Sequence, residues 1–264
     1  MSLTIPNPLA DRLASGQLGV CMLIKQSRSG EIALAAKTSG YDAIYVDLEH
    51  SVISESEAAA ICVTAQYAGI TALVRVPSHD AHYATRLLDN GAMGIVFPHV
   101  ENAEQARKCV SACRFAPLGE RSVASSWPQV AYATYPAEEV RRAFNAATLV
   151  VVMLETPEAV EHADEIAAVE GVDIVHIGSS DLCEAMGLPG QLDHPKVAAA
   201  FEKVVAACRK HKKIAGVGGM GSQPETTKRI LASGVRFVTA GNEWGFMISA
   251  ATARASMLRK LPLD

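Results

Sequence analysis

Several segments of this sequence set ionisable side chains directly after apolar runs, where burying them is costly unless they pair or act. Val46-Asp47-Leu48-Glu49-His50 carries three such groups in four residues. It reads either as a salt-bridged strand end or as a His acid or base oriented by a carboxylate, Asp47 being nearest the strand. In Val74-Arg75-Val76-Pro77 the Arg either bridges to a helix or points into an interior, where its planar guanidinium suits a carboxylate or carbonyl oxygen. Glu155 in Leu154-Glu155-Thr156-Pro157 and Asp181 in Gly178-Ser179-Ser180-Asp181 end two successive apolar runs. On neighbouring parallel strands, about 4.8 Å apart, these carboxylates converge, and they then share a proton or bind a hard cation. Mg²⁺ fits such a sparse oxygen set, and Mn²⁺ or Co²⁺ substitutes for it. The turn Gly178–Asp181 also opens a helix whose free N–H groups suit a substrate carboxylate.

What must position these groups is a repeating alternation. Short apolar runs at Gly19–Ile24, Ala43–Asp47, Ala72–Val76, Gly94–Pro98, Leu149–Leu154, Asp173–Ile177, Ile214–Val217 and Phe237–Ala240 make eight strand candidates. Helical stretches lie between them at Glu55–Ala68, Tyr83–Asn90, Ala103–Cys113, Pro157–Val169, Pro195–Lys210, Glu225–Ser233 and Gly245–Leu261. This pattern predicts an α/β fold, a single (β/α)8 TIM barrel over residues 1–264. The polar residues at the carboxyl ends of its strands are the site candidates. One long connection, Arg114–Asn145, reads as a functional or interface loop. Asn242-Glu243-Trp244, after the last strand, is expected to wall the barrel mouth. The other histidines read as loop, helix or core residues, with His99 ending the fourth strand and His176 a satisfied core side chain.

Composition narrows the function classes. The chain has 264 residues, a formal net charge of −4 and no basic block, which argues against nucleic acid as a partner. The six cysteines form no CxxC pair, and Cys109 and Cys113 have no His at a zinc-ligand spacing, so buried reduced thiols are expected. Met1–Gly16 lacks an apolar signal region and no stretch is long enough to span a membrane, so a soluble cytoplasmic protein is expected. Gly216–Gly221 matches GxGxxG but follows the seventh strand, away from the first βα unit where that pattern binds dinucleotides. It remains as a phosphate cradle for a phosphosugar isomerase. Lys25, just past the first strand, is the candidate for a Schiff-base aldolase.

Taken together, Asp47-Leu48-Glu49-His50, Val74-Arg75-Val76-Pro77, Gly91-Ala92-Met93-Gly94-Ile95, Glu155-Thr156-Pro157-Glu158-Ala159 and Ile177-Gly178-Ser179-Ser180-Asp181-Leu182 resemble the HpcH/HpaI aldolases. These are metal-dependent class II pyruvate aldolases related to 4-hydroxy-2-oxoheptanedioate aldolase. The resemblance runs from Gly19 to Trp244 and implies a barrel of the phosphoenolpyruvate/pyruvate-domain type. It implies that Glu155 and Asp181 hold a divalent metal that chelates the 2-oxo acid, and that Arg75 steadies the enolate. It implies that His50, paired with Asp47, handles protons, that Asp89 of a neighbouring subunit joins that dyad, and that Ser180 and Asp181 N–H groups take the carboxylate. A homohexamer with its last helix on a partner is also implied. The implied reaction is reversible cleavage of a 4-hydroxy-2-oxo acid to pyruvate, or a close analogue, and an aldehyde. Oxaloacetate decarboxylation and citrate-lyase-type acyl-CoA cleavage are the neighbouring chemistries. The sequence departs from the family at Met153, where a Gln commonly reaches the metal-bound water, and at Ser122, where Gly usually follows the Arg of the long-loop motif.

Overall fold

The computed structural model describes residues 3–220 and 223–262. Its strands are β1 (Gly19–Ile24), β2 (Ala43–Asp47), β3 (Thr71–Arg75), β4 (Gly94–Phe97), β5 (Leu149–Leu154), β6 (Ile174–Gly178), β7 (Ile214–Gly218) and β8 (Phe237–Asn242). All pair in parallel with their sequence neighbours, and β8 pairs with β1 to close the barrel. This is the expected (β/α)8 fold, with no strand boundary moved by more than two residues. Gly221, in the expected phosphate cradle, and the first two residues of the amino-terminal stretch lie outside the described residues.

The continuous apolar runs divide by the two-residue strand period. Ile44 and Val46, Ala72 and Val74, Val150, Val152 and Leu154, and Val175 and Ile177 face the helices in one large core. Their alternates Ala43 and Tyr45, Leu73, Leu149, Val151 and Met153, and Ile174 fill the barrel interior together with Cys21, Val96 and Phe237. The same parity turns Asp47, Arg75 and His176 inward.

The surrounding helices are α1 (Pro8–Ala14), α2 (Glu31–Thr38), α3 (Glu55–Ala68), α4 (Ala81–Asp89), α5 (Ala103–Cys113), α6 (Ala137–Ala147), α7 (Pro157–Glu161), α8 (Ala163–Ala167), α9 (Ser179–Ala185), α10 (Pro195–Lys210), α11 (Pro224–Ser233) and α12 (Glu243–Arg259). Helix α3 starts at a full capping box, Ser54 with Glu57, and ends at the left-handed Gly69 (φ 69°). Helix α1 was not legible in the sequence. Its Leu9 and Leu13 plug the amino end of the barrel and pack with the interior cluster.

Two expectations need correction. The connection Arg114–Asn145 is not one loop, because its second half folds as α6, which buries Val140, Ala143, Phe144 and Ala147 at helical spacing. Its first half wraps around Arg121, whose guanidinium is fully buried against Phe115 and Phe144 at 4.6 and 5.3 Å. The expected helix Pro157–Val169 is broken at His162, where the backbone leaves helical geometry (ψ 6°) and Nδ1 lies 2.9 Å from the Glu101 carbonyl oxygen. All six cysteines are buried and free, as expected. No helix among the described residues is long and apolar enough to cross a membrane.

Close strand packing at β4 gives a direct test. A Cβ added at Gly94 would lie 2.6 Å from the Leu149 carbonyl oxygen and 2.7 Å from Leu73 Cδ2. Gly94→Ala is therefore expected to lower unfolding free energy by about 1–3 kcal/mol in urea denaturation, since backbone cannot yield as a side chain can.

Candidate active site

The site is built on rungs of the barrel. Asp47 and Arg75 are direct partners in the β2–β3 register, so their inward side chains meet across one strand spacing. Arg75 donates from Nε to Asp47 Oδ1 at 2.9 Å and from Nη2 to Oδ2 at 2.7 Å, a bidentate fork. Its third nitrogen, Nη1, lies 2.9 Å from Glu49 Oε2 and 4.0 Å from the Met153 sulfur. The N–H groups of Glu49 and His50 also donate to Asp47 Oδ1, at 3.1 and 3.2 Å. Burial pushes the Asp47 carboxyl up, but Arg75 and these amides outweigh it and hold it below the usual carboxylate range.

This corrects one sequence expectation. Asp47 does not orient the His50 ring, because its acceptor sites are taken by Arg75 and by backbone amides. The nearest carboxylate to that ring is Glu49, with Nε2 at 3.7 Å from Oε2. His50 is 53% exposed, at the mouth rather than in the interior.

Strands β5 and β6 supply the acidic pair. Glu155 follows β5 and is 2% exposed, whereas Asp181 lies exposed in the first turn of α9. A Cβ at Gly178 would strike the Glu155 side chain at 2.6 Å, so this glycine makes room for the carboxylate. Desolvation, reinforced by the nearby charges of Glu49 and Asp181, raises the Glu155 pKa despite a hydrogen bond from the His99 N–H. A cation between the two carboxylates would relieve that cost. Helix α9 has no side-chain cap at Gly178, so no N-cap side chain meets its first N–H groups.

A cavity of about 330 Å³ joins these parts, lined by His50, Arg75, Glu155, Ser180 and Asp181 among others. A second, larger cavity of about 730 Å³ opens beside Ser180 toward Asp193 and Thr226, and none of the charged candidates lines it. The Arg75 guanidinium and both carboxylates line the smaller one.

Asp89 is not in this cavity. It ends α4, which returns toward the amino ends of the strands, and it accepts from Arg121 at 2.6 Å and Trp127 Nε1 at 3.1 Å. Glu243 does not wall the mouth with a free carboxylate either. Its Oε1 accepts from the Lys25, Gln26 and Ser27 N–H groups at 2.9, 2.6 and 3.0 Å, pinning the turn after β1. Lys25 does not line the cavity, which removes the structural basis for a Schiff base.

Three residues of the site escaped the sequence reading. His99 reads from sequence as a strand end, yet its Nδ1 lies 3.1 Å from Glu155 Oε2 and its Nε2 3.0 Å from Glu49 Oε1. Its backbone holds φ 52°, a conformation costing roughly 1–3 kcal/mol that is tolerated only where surroundings impose it. The available signal was its place just past β4, beside the strand that carries Glu155. His176, which reads as a core residue, and Tyr45 lie inside strands, and both line the cavity. His176 is not the satisfied core residue expected, since its Nδ1 is buried without a partner.

The depressed Asp47 pKa makes the Asp47–Arg75 pair testable. A carboxyl lowered in the folded state stabilises above its unfolded value, roughly pH 4, and loses that contribution as pH falls through the folded value. Asp47→Asn is expected to cost about 3 kcal/mol at pH 7, because it leaves a buried guanidinium short of its fork. The difference from the unsubstituted protein should shrink as urea titrations are taken down toward pH 3.

Residues 21–250 match the HpcH/HpaI aldolase/citrate lyase family. The 4-hydroxy-4-methyl-2-oxoglutarate aldolase tasA of Hapsidospora irregularis is 35% identical over 98% of this chain and 97% of that protein. The 2-keto-3-deoxy-L-rhamnonate aldolase of Escherichia coli is 31% identical over 98% of this chain and 96% of its own. The crystal structure of an HpcH/HpaI aldolase from Desulfitobacterium hafniense DCB-2 superposes with a TM-score of 0.91, at 28% identity, covering 98% of this chain and 99% of that one. The chain belongs to the HpcH/HpaI aldolase/citrate lyase family and is a carbon–carbon lyase of the aldolase class.

Proposed function

We propose that this barrel reversibly cleaves a 4-hydroxy-2-oxo acid into pyruvate, or a close analogue, and an aldehyde, with a divalent cation held by Glu155 and Asp181. The observation that carries this reading is the cavity shared by a buried guanidinium and two carboxylates just past the ends of adjacent strands. The donor set consists of hard oxygens, one of them raised in pKa by burial and like charge, which fits Mg²⁺, Mn²⁺ or Co²⁺. When bound, the cation supplies Lewis acidity at the carboxylate and ketone oxygens of the 2-oxo acid.

The protein's own groups do the rest. Backbone N–H groups of Ser180 and Asp181 receive the substrate carboxylate, and Arg75, fixed by Asp47, meets the ketone oxygen where negative charge grows as the enolate forms. His50, at the mouth, takes the C4 hydroxyl proton as the C3–C4 bond breaks, and a proton is returned at C3. Asp89 lies outside this cavity in its own chain, and the reading assigns it to the His50 of a neighbouring protomer. We infer a cytoplasmic homohexamer of single-domain barrels, a reading that the apolar face of α12 supports. That helix exposes Trp244, Phe246, Met247, Ile248, Met257 and Leu258. The six buried free thiols suit a reducing compartment.

Pyruvate release from 4-hydroxy-2-oxo acids and from oxaloacetate tests the reading. Activity is expected to vanish with EDTA, return with Mg²⁺, Mn²⁺ or Co²⁺, and be lost in Asp181→Ala. Arg75→Ala should lower kcat by about 10²–10³, the cost of one donor to a developing oxyanion. Turnover that survives EDTA would overturn the metal assignment.

A further inference from the structure

The two oxygens of the Glu155 carboxylate are not equivalent. Oε2 accepts from the His99 backbone N–H at 2.9 Å, and Nδ1 of the same residue lies 3.1 Å from it. Among the described residues none donates to Oε1. Oε1 is turned toward β6 instead, where a Cβ on Gly178 would lie 2.6 Å from it. Gly178 immediately precedes α9, whose first turn carries Asp181, and Glu155 and Asp181 both line the cavity. The carboxylate is thus held in one rotation, with Oε2 taken by His99 and Oε1 left on the side of Asp181.

His99 is itself held on several sides. Its backbone is left-handed (φ 52°), and both of its neighbours are pinned. His79 Nε2 donates to the Pro98 carbonyl oxygen, and the Val100 N–H donates to the Met153 carbonyl oxygen at 3.0 Å. This conformation lets one residue address Oε2 with its N–H and its ring together. The far end of the ring is fixed as well, since Nε2 lies 3.0 Å from Glu49 Oε1. The Glu49 side chain is 11% exposed, and its Oε2 stands 2.9 Å from Arg75 Nη1. A continuous chain therefore runs from the Asp47–Arg75 rung through Glu49 and His99 to Glu155. His99 does not line the cavity, so it acts on what binds there through the carboxylate it holds.

We propose that His99 is a positioning residue that makes Glu155 a one-oxygen ligand, through Oε1, and thereby sets which cation the site prefers. This deepens the aldolase reading and rests on its metal assignment. Cations differ in what they ask of a carboxylate. Mg²⁺ takes a strict octahedral shell that single oxygens fill, whereas Ca²⁺ gathers more oxygens at longer range, often two from one carboxylate. With Oε2 taken by His99, Glu155 offers Ca²⁺ no second oxygen, while a small octahedral ion loses nothing. Glu49 enters through the same ring, because it fixes the end of the imidazole that Glu155 does not touch. The chain of contacts thus ties the rotation of the cation ligand to the fork of Arg75.

The test measures cation binding without substrate. Mn²⁺ is followed by the loss of its free EPR signal, with Mg²⁺ and Ca²⁺ titrated as competitors, in the unsubstituted protein, His99→Asn, Glu49→Gln and the double variant. Asn tolerates the left-handed backbone and keeps the N–H that meets Glu155, but it is too short to span to Glu49. Glu→Gln keeps its shape, so a folding defect in one single variant leaves the other to decide. The unsubstituted protein should prefer Mg²⁺ to Ca²⁺. His99→Asn should weaken Mn²⁺ and Mg²⁺ by about 10–100-fold and Ca²⁺ less, which narrows that preference. Glu49→Gln should narrow it too, and should add nothing in the His99→Asn background. An unchanged preference in either folded single variant, or a Glu49→Gln effect that persists in full without His99, overturns the inference and leaves the aldolase reading standing. Failure of Mn²⁺ to bind the unsubstituted protein, or binding that survives Asp181→Ala, overturns the metal assignment and this inference with it.

Discussion

The site depends on one rung of the barrel, where Asp47 and Arg75 face each other. A guanidinium taken out of water is affordable only with its donors met. Here Asp47 takes Nε and Nη2, and Glu49 lies against Nη1. The pair exists because β2 and β3 align without offset, and because strand parity turns both side chains inward. A slip of one residue in either strand would turn one of these charges into the apolar layer between sheet and helices. Register and electrostatics therefore enforce each other, and Arg75 is held rigid before any substrate arrives.

Around that pair the charges do not balance. Asp47, Glu49, Glu155 and Asp181 stand against Arg75, with His50 and His99 at the rim. Glu49 links the two halves, contacting Arg75 on one side and His99 on the other, and His99 reaches on to Glu155. The left-handed backbone at His99 lets its N–H and its ring both meet Glu155 Oε2. The chain thus spends strain to fix a carboxylate whose ionised form is disfavoured by burial. Such an expense is intelligible for a carboxylate waiting on a cation, and hard to explain for one that only fills space.

Much of the architecture was legible in the sequence, because apolar runs bounded by turn residues survive translation into strands almost unchanged. The helices that escaped were those whose apolar stripe is narrow. In α6 two arginines separate Val140 from Ala143 and Phe144, while α1 and α2 each bury only two side chains. The charged strand ends were legible for the same reason as the strands, since an ionisable group after an apolar run stands out. Their partnerships were not. Asp47 is three residues from His50 but shares a rung with Arg75, and register is a property of closed sheets that no local pattern reveals. His99, alone after Pro98, offered no cluster to notice.

The interior below the charged rung follows a different logic. Strand parity separates the floor residues Tyr45 and His176 from the next inward positions, Asp47 and Gly178, by two residues along each strand. The floor is thus displaced by one layer from the groups that polarise a 2-oxo acid. A side chain there can change size or polarity while the Asp47–Arg75 fork and the Glu155 carboxylate keep their geometry, provided the facing strand yields space. Strand β7 yields it with Gly216 and Gly218, whose missing Cβ atoms are the room that the His176 ring occupies. The barrel thus sets the charged rung and the polar floor on separate layers. The imidazole of His176, kept neutral by burial, sits in that lower layer and leaves the charge balance of the rung above it unchanged.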